Sequence, residues 1–549
     1  MEKNQSLKIG LAFSGGGFRA AAFSLGVLTY LDRIKILDKS LLESVVAIST
    51  VSGGTIAGTR YAVGIKNGEG LHKIYQSLYS FMAKVDLVSL SLDRLVSNDC
   101  WSNNRVRSMI NAFADIYDQH LFDHAKFGIL CTEDNPIHLR HISFNSTEFA
   151  TAHQFRFQWS EKILHPAENE PERGIIGNKY YQLPLSVASV IRMGDILAAS
   201  SCFPGGFEPI NFPDDFILSN SDELSALKQE SSYPVGLMDG GIVDNQGIEP
   251  ILLANTRMLR NHDTGLDLII VSDVTSPYME KYKVSIQKKS NWWRELSLKQ
   301  IFLINFFLLL LSGFGLSWSI IHQDIFLAIF STVVAVLSVL INLMGRFLKS
   351  VPKRFHVPDL FVKPLARLMK LKVLVYENLL FNRVNSLLKL AGDVFLKHVR
   401  KLNYSMIYEN ESWKNRSIMN AIYELRKDEE GYTKKLKEGK ISAELAPSGK
   451  IQEAAGRAAG MGTTLWFTKD ELEKENMLNT IIACGQFTMC WNLLEFIGKV
   501  KKDSTNASPV IPDLLACEQK ILKDWESFQF DPHWMVDHYN VSLNLKKSG

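Results

Sequence analysis

Two unbroken apolar runs, Ile301–Ile321 and Ile325–Met344, constrain this chain more than any other feature. Each holds about twenty residues without a charge, the length of a helix that crosses a hydrocarbon core. Only His322-Gln323-Asp324 separates them. A link that short forces the chain straight back, so the runs predict a helical hairpin. Lys281, Lys283, Lys288, Lys289, Arg294 and Lys299 precede it, and Arg346, Lys349, Lys353 and Arg354 follow. Cationic flanks stay on the cytoplasmic side of a membrane, which puts both flanks there and the turn across the bilayer. Trp292 and Trp293 stand where an interfacial aromatic anchor belongs. The competing reading is a hairpin buried in a large soluble domain. Core helices are usually shorter and carry a polar stripe, whereas these runs hold only scattered Ser, Thr, Asn and Gly.

The 549 residues suffice for several domains and a large core. A net charge of +3 argues against a dedicated nucleic-acid binder. The six cysteines show no CxxC spacing, which suits free thiols in a reducing compartment better than disulfides or a zinc site. The segment MEKNQSLKIGLAF lacks a signal-peptide core.

Ahead of the hairpin, short apolar runs alternate with helical patterns. Lys8–Phe13 precedes glycines and a helical stretch from Phe18 to about Ile34; Val45–Ser49 precedes Gly53-Gly54 and another helix. Further strands are expected at Ile142–Phe149, Val235–Met238 and Leu266–Val271. This alternation predicts an α/β fold with a largely parallel sheet, interrupted by the transmembrane hairpin. The expected divisions are 1–280, the first part of the catalytic domain; 281–355, the hairpin with its basic flanks; 356–499, a helical region in which the catalytic domain returns; and 500–549, a tail. Within the third, Leu360–Leu402 reads as basic amphipathic helix, laid on an anionic membrane surface or packed against the first domain.

Three motifs carry candidate chemistry. In Ser14-Gly15-Gly16-Gly17-Phe18-Arg19, between strand and helix, consecutive glycines let backbone amides converge on an anion; a tight turn is the plain reading. Neither GxxxxGK[ST] nor GxGxxG occurs there. Thr50-Val51-Ser52-Gly53-Gly54 follows a strand as a nucleophile elbow does, although Thr50 occupies the position of the first glycine; a Ser-Gly-Gly helix cap explains it almost as well. Asp239-Gly240-Gly241 could place a carboxylate against a hydroxyl, or be an ordinary acidic turn; Asp244 and Asn245 read as residues that fix that loop.

Together, and with Ala198–Pro204 and Phe207–Pro209 between serine and aspartate, these motifs resemble the patatin-like phospholipase family and, more distantly, the group IV cytosolic phospholipases. The resemblance covers the first half of the chain and resumes weakly around Gly460–Lys499. It implies a three-layer hydrolase fold, cleavage of acyl esters in membrane phospholipid, and no cofactor or metal. Carried onto this sequence, it implies Ser52 as nucleophile, Asp239 as its base, and Gly15, Gly16 and Gly17 as the oxyanion hole, with Arg19 in support. Two rival readings stand beside it. His262 follows Asp239 in the order of a Ser-His-Asp esterase, and a hydrolase fold can serve as a non-catalytic interaction protein.

Overall fold

A computed structural model describes residues 7–36, 38–98, 101, 105–165, 171–216, 235–274, 291–354, 370–413, 415–427, 432–439, 441–502 and 511–543. Cys100, Lys281, Lys283, Lys288 and Lys289 lie outside them. The chain forms two units: Met1–Tyr278 with Leu396–Gly549, and Met279–Phe395. These divisions differ from those expected. The stretch up to Phe395 groups with the hairpin, and the C-terminal residues join the first unit, where Ile521, Trp525 and Phe528 are buried.

The first unit is built on an eight-stranded sheet. Its strands are β1 (Ile9–Phe13), β2 (Val45–Val51), β3 (His141–Glu148), β4 (His153–Ser160), β5 (Ile210–Phe212), β6 (Val235–Asp239), β7 (Leu268–Asp273) and β8 (Ser417–Ala421). They lie in the order β8-β7-β1-β2-β3-β6-β5, with β4 also on β3. From β8 to β3 every pairing is parallel. β4 and β6 run antiparallel to β3, and β5 antiparallel to β6. The fold is therefore the mostly parallel α/β sheet that the sequence predicts. β4, β5 and β8 were not foreseen.

Alternate residues of the central strands serve two apolar layers. Leu11, Phe13, Ile48 and Ile270 face one; Ala12, Ala47, Ile269 and Val271 face the other. Helices α1 (Gly17–Arg33), α2 (Gly53–Lys66) and α3 (Met193–Ser201) contribute to the first layer. Helix α4 (Ile248–Arg260) covers the second through Ile248, Ile251, Ala254 and Met258. Burial on both faces explains why β1 reads as a continuous apolar run.

The second unit holds the hairpin, α5 (Leu298–His322) and α6 (Ile325–Arg354). Ser297 and Gln300 form a capping box at its start. At the turn, Gln323 is left-handed (φ 55°) and Asp324 accepts the amides of Phe326 (3.0 Å) and Leu327 (3.1 Å). Its seam is polar: Asn305, Ser312 and Ser319 on α5, and Ser331 and Ser338 on α6, are buried. Leu311, Phe314, Phe330 and Leu340 are exposed. Helix α7 (Val373–Lys389) begins beside the start of α5, where Val373 N–H donates to Leu296 O (2.9 Å).

After α7 the chain rejoins the first unit through β8, α8 (Gly449–Gly460) and α9 (Met477–Lys502). Helix α9 packs along α1, and they cross at Gly26 and Gly485, where a Cβ on Gly485 would strike the Phe23 carbonyl.

Candidate active site

One strand brings Ser52 and Asp239 together. On a single edge of β3, β2 pairs as far as Val51 opposite Asn145, and β6 arrives antiparallel with Asp239 opposite Ser146. The two strands thus meet end to end at adjacent residues of β3. The Ser52 hydroxyl lies near enough to the Asp239 carboxyl to favour its charge.

Ser52 is the single residue between β2 and α2 and takes φ 50°, ψ −122°. A non-glycine residue at positive φ is strained and persists only where its surroundings hold it. Here its N–H donates to Ser200 Oγ (3.0 Å), and Ser200 donates in turn to Asn145 O (2.7 Å). Ser52 O accepts the Thr55 amide (2.8 Å). Thr50, the departure from the elbow pattern, is accommodated from α2: a Cβ on Gly58 would strike its Cγ2. Its hydroxyl bonds Thr55 Oγ1 (3.1 Å), which reaches Ser200 Oγ (2.8 Å).

Burial pushes the Asp239 carboxyl up to about 6, against the nearby Ser52 hydroxyl and the hydrogen bond from the Gly241 amide (2.7 Å), which favour its charge. Asp244 fixes the following loop, accepting the amides of Gly247 (2.9 Å) and Glu249 (2.9 Å). Asn245 O accepts the Gly15 amide (3.0 Å), tying this loop to the glycine loop.

That bond changes the role of Gly15. Its N–H is already committed, so of the three expected oxyanion donors Gly16 and Gly17 remain, and neither N–H meets an acceptor among the described residues. Both have positive φ, 145° and 59°. A Cβ on Gly15 would lie 3.1 Å from Ser52 Cβ, which sets the loop directly against the serine. Gly53 adds a donor not foreseen: it opens α2, so its N–H has no partner within the helix, and a Cβ on it would lie 2.5 Å from Gly17 N.

Arg19 is placed otherwise than expected. Its Nη1 donates to Ala459 O (3.2 Å) and Met461 O, the carbonyls that end α8. A buried guanidinium at a helix C-terminus meets the negative end of the dipole, so Arg19 stitches the glycine-loop helix to the returning chain. Phe18 N–H reinforces this by donating to Thr464 O (2.8 Å). His262 is exposed beyond the far end of α4, a helix of 13 residues or about 20 Å, so it supplies no third member to Ser52 and Asp239. Ser200, Asn145 and Gly53 had no assigned role in the sequence. Ser200 lay within the quoted Ala198–Pro204 segment, and its small hydroxyl was the one available signal.

A hydroxyl held on a strained turn, beside a carboxyl and set against amides that meet no acceptor among the described residues, has the parts for acyl transfer by nucleophile, base and oxyanion site.

Comparison with curated proteins gives no match. Among solved structures, human GIVD cytosolic phospholipase A2 superposes with a TM-score of 0.31 and 14% identity, over 50% of this chain and 47% of that one. The same human enzyme, with methyl gamma-linolenyl fluorophosphonate and terbium chloride, gives 0.27 and 18%, over 49% and 41%. This chain thus spans about half the length of those structures. Residues 11–252 match the family described as patatin-like phospholipase, and this chain therefore carries a patatin-like phospholipase domain.

Proposed function

We propose that this protein is a membrane-anchored serine acyl hydrolase that cleaves fatty-acyl esters of phospholipid or lysophospholipid through Ser52 and Asp239. The family match supports the substrate class. The observation that carries the chemistry is that the strained Ser52 and the buried Asp239 carboxyl meet at adjacent residues of β3.

Asp239 takes the Ser52 proton as Oγ attacks the ester carbonyl. The tetrahedral oxyanion forms against the Gly16, Gly17 and Gly53 amides. Collapse expels the glycerol-side alcohol, which leaves with the proton held by Asp239. Water, deprotonated by Asp239, then attacks the acyl-serine, and the fatty acid leaves as Asp239 returns that proton to Ser52 Oγ. Each oxyanion donor contributes about 10²–10³-fold in rate.

The hairpin supplies the anchor in this reading. Its polar residues face inward and its large apolar residues outward, the reverse of a soluble bundle. The cationic flanks favour a catalytic unit on the cytoplasmic side. Held at the bilayer, the enzyme works at the high lipid concentration of the surface; deletion of Ile301–Met344 with full activity on vesicles retained would remove this part of the proposal.

The deciding experiment incubates the purified full chain with defined phospholipid vesicles and identifies released products by mass spectrometry. Wild type is expected to release fatty acid, and Ser52→Ala to lose about 10⁴-fold or more in rate. Asp239→Asn should lose a comparable factor. Hydrolysis surviving in Ser52→Ala would overturn the assignment, and a biological effect unchanged in that variant would mark a scaffold.

A further inference from the structure

One face of the β3–β4 ladder is polar along its length. The alternate residues from His141 to Thr147 stand opposite those from Gln154 to Ser160, and none is apolar. The opposite face of the same strands carries Ile142, Phe144, Phe155 and Phe157 in the core. Strand pairing therefore gathers a polar layer beneath the protein surface. Burying such groups is costly unless each finds a partner.

Several do not. Among the described residues, both ring nitrogens of His141, both amide atoms of Gln154, Oε1 of Gln158, Nε and Nη1 of Arg156 and Nε of Arg257 are buried without a hydrogen-bond partner. Arg257 reaches this layer from α4 and is 5% exposed. Burial, and then the neighbouring Arg156 charge, hold its guanidinium down to about 10. Glu249 and Asp244 favour the Arg156 charge through space, but Asp244 is committed to the backbone amides that follow it. No ion pair reaches either guanidinium among the described residues. A buried cation without a bonded anion is among the most costly arrangements a fold can hold.

The layer also has an approach. Gln158 and Gly174 line a cavity of about 490 Å³ beneath residues 171–185. A side chain at Gly174 would lie 2.8 Å from Gln158 Nε2 and 3.2 Å from Arg257 Nη1, so Gly174 borders the cavity and packs closely against the guanidinium. Glu172, also on its wall, is paired with Lys162 (3.4 Å).

We propose that Arg156 and Arg257 form an anion site, distinct from the Ser52 centre, that takes a tetrahedral phosphate-type group. Arginine forks suit such oxyanions, and the Gln154 amide supplies a neutral donor, whereas the Gln158 amide nitrogen is committed to Ile175 O. Burial favours a small soluble anion, inorganic phosphate or a phosphomonoester, over the headgroup of a lipid still in its bilayer.

The test uses the full chain in detergent with inorganic phosphate as probe, against chloride at matched ionic strength. Equilibrium dialysis of the wild-type protein is expected to show one phosphate per chain, and saturating phosphate to raise Tm by about 3–5 °C. Arg257→Met is expected to raise the phosphate-free Tm and abolish the phosphate response; Arg156→Gln is expected to weaken binding at least tenfold. Vesicles with or without phosphatidic acid separate the sources. Displacement of bound phosphate only by phosphatidic acid assigns the site to a lipid phosphomonoester, and no displacement assigns it to the free anion. Absence of bound phosphate in dialysis, or a response that persists in both variants, would overturn the proposal and leave a water-filled polar seam.

Discussion

Helices α5 and α9 are matched in length yet have opposite surroundings. Both are long and apolar enough to cross a membrane, with mean hydropathies of 2.0 and 1.2. Within their most apolar windows α9 is 94% buried and α5 is 11% buried. The difference lies in where the small and polar residues point. On α9, Gly485 faces Gly26 of α1 and Gln486 donates to Thr29 Oγ1 (3.1 Å), and the helix is enclosed by protein from Met477 to Ile497. On α5 the enclosed residues are Asn305, Ser312 and Ser319, while leucine and phenylalanine face outward. Apolar length alone therefore does not separate an enclosed helix from an outward-facing one; the direction of the polar residues does.

The sharpest way to break the comparison is to add one methyl group to each helix. Gly485→Ala puts a Cβ onto the Phe23 carbonyl and 3.1 Å from Gly26 Cα, in backbone that has no side chain to move aside. We expect a loss of about 3 kcal/mol or more. Gly313→Ala on α5 meets nothing within 4 Å and should be neutral or slightly stabilising. Thermal unfolding of the two variants in detergent reads this directly, and equal effects would mean that the helices are not differently packed.

A charge probes the outward face. Leu311, 66% exposed near the middle of α5, would meet hydrocarbon if the hairpin spans a bilayer. Leu311→Arg should then weaken insertion by roughly 2.5–3.5 kcal/mol, seen as protein released from vesicles on flotation. Hydrolysis of a soluble ester should be unchanged, because the catalytic residues belong to the other unit. Unaltered flotation would remove the hairpin from the membrane.

Within the enclosed unit, pH gives a smaller effect with a definite sign. Asp239 accepts the serine proton only when ionised, and burial holds its carboxyl up to about 6. The rate should fall about tenfold per pH unit below that value and level off above it. Stability moves oppositely. An unfolded aspartate titrates near 3.9, so the native state binds the extra proton between about 4 and 6, and this group's contribution to stability falls as pH rises through that window. Asp239→Asn removes the buried charge and should stabilise the inactive protein by roughly 1–3 kcal/mol at neutral pH. A melting temperature at or below wild type would show that Asp239 sits comfortably as an anion.

Much of this was legible because strand–turn–helix punctuation is local. Val45–Ser49, Ser52 and Gly53-Gly54 announce an elbow, and β1, β2, β3, β6 and β7 fall within a residue or two of the apolar runs that predict them. What stayed hidden depends on contacts between distant residues. β4 mixes arginine and glutamine into an aromatic strand because its polar face meets the polar face of β3. Arg19 reads as a ligand-facing cation until the end of α8, more than 400 residues later, arrives to occupy it. Gly15 likewise looks equivalent to Gly16 and Gly17 until Asn245 takes its amide. Thr50 looked ill-suited to its turn, and the room for it comes from Gly58, whose helical position gave no hint.

The smallest effect tests the seam itself. Asn305 Nδ2 donates to Ser338 O across the hairpin (3.0 Å), and its Oδ1 is buried without a partner among the described residues. Hydrogen bonds between helices in a bilayer contribute only about 0.6 kcal/mol on average, because the separated helices also find partners there. In water, a buried amide left half-satisfied would cost more than that to retain, and a leucine of similar volume would improve the packing. Asn305→Leu should therefore change hairpin stability by less than about 1 kcal/mol in bilayers. If instead the variant were clearly more stable in lipid, the buried amide would be there for something other than holding α5 to α6.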